Sequence, residues 1–194
     1  GEILLTDLLS IEDYYKTDIH WRQEKLLDVS ERILGAMNDE NEVSLYEKRT
    51  LDVPFYGVYA GQSGLNLEPE MIFYYTNEMT ENCVVYDYET RKNGKIYDME
   101  KAYGKDPYEM FLSGAKSLLT IENPNAASEK ELILFRDSFG SSVAPLLVSA
   151  YKKITLVDIR YIHLDLLGNY IQFEDQDVLF LYSTSVLNNG DTIK

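Results

Sequence analysis

Three residue types in this chain have the makings of a serine acyl-transfer centre: Asp18 and His20 in YYKTDIHW, and Ser138 in ELILFRDSFGSS. A serine hydroxyl is a poor nucleophile at neutral pH. It needs a base within hydrogen-bond reach, and the base needs an orienting group. The chain has two histidines, which narrows the choice of base. In an extended segment, residues two apart share a side. Asp18 can then accept the Nδ1–H of His20 and leave Nε2 for the serine proton. On a helix the same spacing would part the two side chains by roughly 200°. Tyr14, Tyr15, Ile19 and Trp21 favour the extended form. Two simpler possibilities stay open. His163 repeats the spacing with Asp165 and is a rival base, although a structural or surface role suits it better. Asp137 or Ser138, at a strand-to-helix junction, is also a natural helix N-cap.

Regular elements have to carry these residues. Residues 22–37 place Leu26, Val29, Ile33 and Met37 at helical spacing, and the pattern predicts an amphipathic helix ended by Asn38-Asp-Glu-Asn. Residues 1–13 contain a candidate short helix. Between about 50 and 100 the chain is Tyr-rich and alternating, in TLDVPFYGVYAG, EMIFYYT, NCVVYDY and KIYDM. These segments read as strands. Asn93-Gly94 reads as the turn of a hairpin, GQSG as a loop, and the whole section as a small antiparallel insertion. From 107 onward PYEMFLSG reads as a short helix, and SLLTIEN, ELILFR, KITLVDIRYI and DVLFLYS as strands. SSVAPLLVSAYKK and DLLGNYIQFE read as helices between them. Strands buried on both faces and alternating with helices predict a parallel sheet with right-handed crossovers. Ligands of such sheets bind beyond the carboxyl ends of the strands. That places Ser138 at the binding edge, with Asp158, Arg160 and Tyr161 nearby.

Composition limits the function classes. The 194 residues suit one domain spanning 1–194. The net charge is −15, which repels phosphate backbones and anionic lipids, so nucleic acid is not an expected partner. A single cysteine, Cys83, forms no intrachain disulfide and reads as a small buried hydrophobe. With so few His and Cys residues, no metal site of the zinc type and no cofactor is expected. No apolar run is long enough to span a membrane. The chain begins with Gly rather than Met, so an export signal or membrane anchor would have to lie upstream. Oligomeric state is unconstrained.

YYKTDIHW followed by an amphipathic helix resembles the signature of the DHHW family, a bacterial group related to SGNH-hydrolase-like proteins that include alginate O-acetylation enzymes. The order LILFRDSFGSSVAPLLVSAYKKITLVDIRYI and then DVLFLYS extends the resemblance over residues 14–183. The resemblance implies a three-layer α/β fold, flavodoxin-like, with Ser138 as nucleophile, His20 as general base and Asp18 as orienter. Acid and base precede the serine, opposite to ordinary SGNH hydrolases. Two positions depart from the pattern. Ile19 stands where the family name implies His, at a position pointing away from Asp18 and His20. Gly114 is followed by Ala115 where relatives often carry Asn, which removes one oxyanion donor. Such a loss costs about 10²–10³ in rate. Asn66, Asn123 and Asn169 are possible substitutes, and the Ser138 N–H is the safest donor. Gly114, Arg136, Arg160, Tyr161 and Trp21 complete the candidate oxyanion and substrate-binding set.

The implied activity is an exported or cell-envelope carbohydrate O-acyl esterase or O-acetyltransferase, with an acylated glycan as partner. The acidic surface disfavours a polyanionic substrate. The competing class is a non-catalytic glycan-binding or scaffold module, in which the 16 tyrosines and Trp21 would stack on sugars. Most of those tyrosines also suit strands and core.

Overall fold

A computed structural model describes residues 1–37, 45–64 and 66–189. Its helices are α1 (Leu27–Ala36), α2 (Val58–Ser63), α3 (Glu78–Asn82), α4 (Met99–Ala102), α5 (Ser138–Leu147) and α6 (Thr184–Leu187). Its strands are β1 (Glu47–Thr50), β2 (Phe73–Thr76), β3 (Val84–Asp87), β4 (Lys92–Gly94), β5 (Leu118–Glu122), β6 (Glu131–Arg136), β7 (Lys153–Val157) and β8 (Asp177–Leu181).

The main sheet has the order β4-β3-β5-β7-β6-β8. Side-chain alternation in its centre shows why it forms. Leu132 and Leu134 of β6, with Ile154 and Leu156 of β7, face a core shared with Val29 and Ile33 of α1 and Val143 and Leu147 of α5. Their neighbours Ile133, Phe135 and Val157 face the other side, against Ile159, Ile162, Leu167 and Ile171. Both faces of β6 are therefore buried, as a run of apolar residues requires. Removing one such side chain, Leu134→Ala for instance, typically costs about 2–5 kcal/mol.

The sheet is mixed rather than parallel. β6 runs parallel to β7 and β8, but β5 is antiparallel to β7, and β3 is antiparallel to β5. α5 supplies the crossover between β6 and β7. Between β4 and β5 lie only the four-residue α4 and the 3₁₀ turn Pro107–Met110, too short to act as a crossover helix that would force the parallel sense. The second face is covered by a 3₁₀ segment, Leu164–Asn169, where a helix was expected.

The Tyr-rich section does not form one inserted sheet. β1 and β2 make a separate antiparallel ladder, with Glu47 opposite Thr76 and Thr50 opposite Phe73. β3 and β4 form a hairpin at the edge of the main sheet, but Asn93 and Gly94 are paired in its ladder, opposite Tyr86 and Val85. The turn comes earlier because the Asp87 carboxylate accepts the N–H groups of Glu89 (2.8 Å) and Thr90 (3.3 Å). Such an Asx turn starts the reversal at Asp87, and Arg91 closes it at φ 58°. KIYDM contributes only an isolated bridge, between Tyr97 and Phe111. Residues 61–63, expected in a loop, lie in α2, and Gly64 ends that helix in the left-handed region at φ 64°. PYEMFLSG contains a 3₁₀ turn over Pro107–Met110. In residues 1–13 the only helical turn is 3₁₀, over Ile11–Asp13. α1 ends at Ala36, and Asn38-Asp-Glu-Asn lies outside the described residues. Cys83 is fully buried, and burial pushes its thiol up to about 12.

Candidate active site

β6 ends at Arg136, and the chain turns directly into α5 through Asp137. Asp137 takes the capping role: its carboxylate accepts the Phe139 N–H at 2.9 Å and, from the end of β8, the Ser183 N–H at 2.8 Å. The Ser138 hydroxyl, on the first helical residue, is thereby spared from capping the helix. Its N–H is among the helix's first donors, which have no carbonyl partner inside the helix. The residue is half-buried and so remains open to a ligand.

Asp18 and His20 reach this point from a compact turn instead of an extended strand. Tyr14 and Trp21 form a bridge, and the Tyr15 N–H donates to the His20 carbonyl at 3.0 Å. Within the turn, Asp18 Oδ1 accepts both the His20 backbone N–H (3.0 Å) and the ring Nδ1–H (2.5 Å). His20 Nε2 lies 2.8 Å from Ser138 Oγ. A carboxylate partner at Nδ1 implies the tautomer protonated there, so Nε2 is the acceptor. The line from carboxylate to imidazole to hydroxyl is continuous.

α2 holds the acid from behind. The Val58 N–H donates to Asp18 Oδ2 at 2.9 Å, and the Tyr59 N–H to the Thr17 carbonyl at 2.9 Å. A Cβ at Gly57 would lie 2.3 Å from both the Asp18 Cβ and the Thr17 carbonyl oxygen, so only glycine permits this approach. Glu70 pins Thr17 by accepting its N–H and hydroxyl, both at 2.9 Å. Burial pushes the Asp18 carboxyl up, but the hydrogen bonds from His20 and Val58 outweigh it and leave it below its ordinary value.

The remaining sequence-derived candidates fall in different places. Ile19 is exposed. Trp21 is buried, so it offers no stacking face. Its Nε1–H donates to Ser142 Oγ (2.7 Å) and the Phe139 carbonyl (3.2 Å). Arg136 is sealed from solvent beneath α5, where Nη1 donates to Ser141 Oγ at 3.0 Å. It lies out of reach of a bound glycan. Its side chain runs under Gly140, whose added Cβ would meet the Arg136 Cβ at 2.5 Å. Arg160 is held in a two-point pair with buried Asp158, at 2.9 and 2.6 Å, and lies over the exposed Tyr161 ring. Gly114 sits at φ 82°, after Leu112 and Ser113, which are also at positive φ. Its N–H donates to the Phe111 carbonyl at 3.2 Å, a partner it would have to release to serve an oxyanion. Asn123 follows β5 beside the start of β7, at the end of the sheet away from Ser138. His163 is largely exposed and pairs with Asp165 at 3.4 Å.

Sequence reasoning passed over Tyr108, whose ring lies flat on His20, 4.0 Å between centroids and 13° between planes. Its signal was Asp106-Pro107, a cap followed by proline at the start of a turn. Cavity size does not mark the site. A cavity of about 550 Å³ lies beside Ile3, Met37 and Phe180. Another, of about 460 Å³ and lined by Glu129, Glu131, Glu174 and Asp177, sits at the amino ends of β6 and β8. Among the described residues no cluster of His, Cys, Asp and Glu suits a metal ion, and no helix is long and apolar enough to cross a membrane.

No family model and no curated protein matches the chain. Solved structures do. A DHHW family protein from Eubacterium siraeum is similar at 24% identity and a TM-score of 0.70, over 90% of this chain and 60% of that one. Bacillus cereus PatB1 is similar at 23% identity and a TM-score of 0.67, over 91% of this chain and 64% of that one. PatB1 with a sulfonyl adduct is similar at 22% identity and a TM-score of 0.65, over 91% and 63%. The chain therefore has the fold of these proteins and spans between 60% and 64% of their length.

Proposed function

We propose that this chain is a DHHW-type serine O-acyl esterase or O-acetyltransferase acting on carbohydrate of the bacterial cell envelope or extracellular matrix. The observation that carries the chemistry is the unbroken hydrogen-bond line from Asp18 through His20 to Ser138. Ser138 Oγ attacks the carbonyl carbon of an acyl ester while its proton passes to His20 Nε2. Asp18 accepts the Nδ1–H and stabilises the imidazolium. The tetrahedral intermediate collapses when His20 returns that proton to the departing alkoxide oxygen, leaving acyl-Ser138. Water or a sugar hydroxyl then attacks the acyl carbon, giving its proton to His20, and His20 passes that proton to Ser138 Oγ as the acyl–oxygen bond breaks. The Ser138 N–H, at the positive end of α5, is the donor best placed for the oxyanion.

The carbohydrate half of the proposal rests on the resemblance of the motifs and on the shared fold. The acceptor is identified by assay on acetylated glycans. PatB1 has been solved with a sulfonyl adduct, which makes covalent probes a natural choice. The test is mass-spectrometric mapping after exposure to a small fluorophosphonate, with His20→Ala as control. A stoichiometric adduct on Ser138 that is lost in the control, together with acetyl-ester turnover lost in Ser138→Ala, is the expected result. Unchanged turnover in both variants would end the proposal. Glycan binding with no acyl product, and no adduct on folded protein, would favour the binding module instead. Exposed Tyr56, Tyr59 and Tyr103 would then be its first contact candidates.

A further inference from the structure

We propose that Tyr108 is a positioning residue that clamps the plane of the His20 imidazole, and that Ser142 anchors the clamp to the helix bearing Ser138. The proposal rests on His20 being the base. Hydrogen bonds at Nδ1 and Nε2 fix the line joining those two atoms. They leave the ring free to rock about that line, which swings both N–H and lone-pair directions out of alignment. A flat aromatic surface at 4.0 Å blocks the motion on one face. Phe139, with its centroid 5.5 Å away and tilted by 48°, also lies against the imidazole.

Tyr108 is itself held at both ends. Its N–H donates to Asp106 Oδ1 at 3.0 Å, and its hydroxyl donates to Ser142 Oγ at 3.0 Å. The Tyr15 and Phe111 rings pack against it. Ser142 Oγ also accepts the Trp21 indole N–H at 2.7 Å and donates to the Phe139 carbonyl at 3.2 Å. A hydroxyl has one donor and two acceptor sites, and all three are used here. The Ser142 carbonyl accepts Gln23 Nε2–H at 2.8 Å. Gln23 in turn accepts the Tyr75 N–H at 2.8 Å. Ser142 lies one turn after Ser138, while Trp21 and Gln23 lie one and three residues after His20. The network therefore ties base and nucleophile together through a second, buried route that makes no contact with substrate.

The test compares Tyr108→Leu, Tyr108→Phe and Ser142→Ala on a small acetyl ester, with kcat and KM separated. It also follows the downfield ¹H resonance of the His20 Nδ1 proton. Tyr108→Leu should lower kcat by about 10–100-fold, the scale of a small misplacement, with KM within about two-fold, and should broaden the Nδ1 resonance. Tyr108→Phe keeps the ring and should retain the resonance with kcat within about three-fold of the parent. Ser142→Ala should fall between them. Should Tyr108→Leu fail to fold, Tyr108→Met carries the same comparison. A folded Leu or Met variant with unchanged kcat and Nδ1 resonance would overturn the clamp, and so would a Phe variant as damaged as Leu. If the parent protein turns over no ester while the resonance still responds as expected, the clamp stands and the proposed reaction fails.

Discussion

Ser138 stands where a fully paired strand of the main sheet passes into a ten-residue helix. Asp18 and His20 stand in a turn whose only ladder contact is the bridge between Tyr14 and Trp21. Ser138, the nucleophile of the proposed reaction, is thus placed by backbone architecture. Its neighbour Asp137 caps the helix and bonds to the end of β8, and Gly140 lets the helix settle on Arg136. His20, the proposed base, is placed by side chains: Asp18 folds back on its own turn, α2 supplies an N–H, and Tyr108 covers the ring. Architecture of the first kind is shared with the whole core and fails with it. The second kind is local, and it can fail while the protein stays folded. Activity and stability should therefore separate on the base side and travel together on the nucleophile side.

The strongest challenge to that contrast is Asp18→Asn. An amide at Nδ1 favours the wrong tautomer, so ester turnover should fall by about 10³–10⁴-fold, with a thermal midpoint close to the parent's. A collapse of the fold would show that the turn is structural after all. Next come two glycines. Gly140→Ala forces a Cβ against Arg136 in the core and should cost about 1–3 kcal/mol in chemical denaturation, losing activity in step. Gly57→Ala pushes on Asp18 and should lower the fluorophosphonate labelling rate of Ser138 more than its stability loss explains. A smaller effect belongs to acid. The Asp18 carboxyl titrates below its ordinary value in the folded protein, so its contribution is complete above about pH 4 and lost as pH falls through the lower folded value. Denaturation of Asp18→Asn should accordingly depend less on pH below about 4. At the bottom of the scale, His163→Ala should leave turnover unchanged and stability within about 0.5 kcal/mol. Any larger loss of turnover would revive it as a base.

The strands that carry Ser138 were legible because β6 is a continuous apolar run between turn signals, and the residue at its carboxyl end follows from that. The direction of β5 was not legible, since a strand buried on both faces has the same pattern whether its neighbour runs parallel or antiparallel. The pairing of Asp18 with His20 followed from their spacing, yet through a different geometry. An Asp accepting the N–H two residues on makes a local turn that outcompetes extension in a segment with few ladder partners. The same competition moved the hairpin turn from Asn93-Gly94 back to Asp87. Tyr108 and Gly57 escaped notice because an aromatic among aromatics looks like core, and a lone glycine looks like loop. Only the contact across the fold brings either of them to the Asp18–His20 turn.

The four-residue interval between Ser138 and Ser142 works as a ruler. One turn of α helix advances about 5.4 Å and returns to nearly the same face. The Ser138 hydroxyl and the buried Ser142 hub therefore present themselves together to the segment running from His20 to Gln23. Deleting or inserting one residue within that turn would swing the hub about 100° away from the hydroxyl and break the bonds of Trp21 and Gln23 to Ser142. Length changes should be excluded from this short stretch of α5 while surface loops tolerate them. A scan of single-residue insertions would map the site by its intolerance, without any substrate in hand.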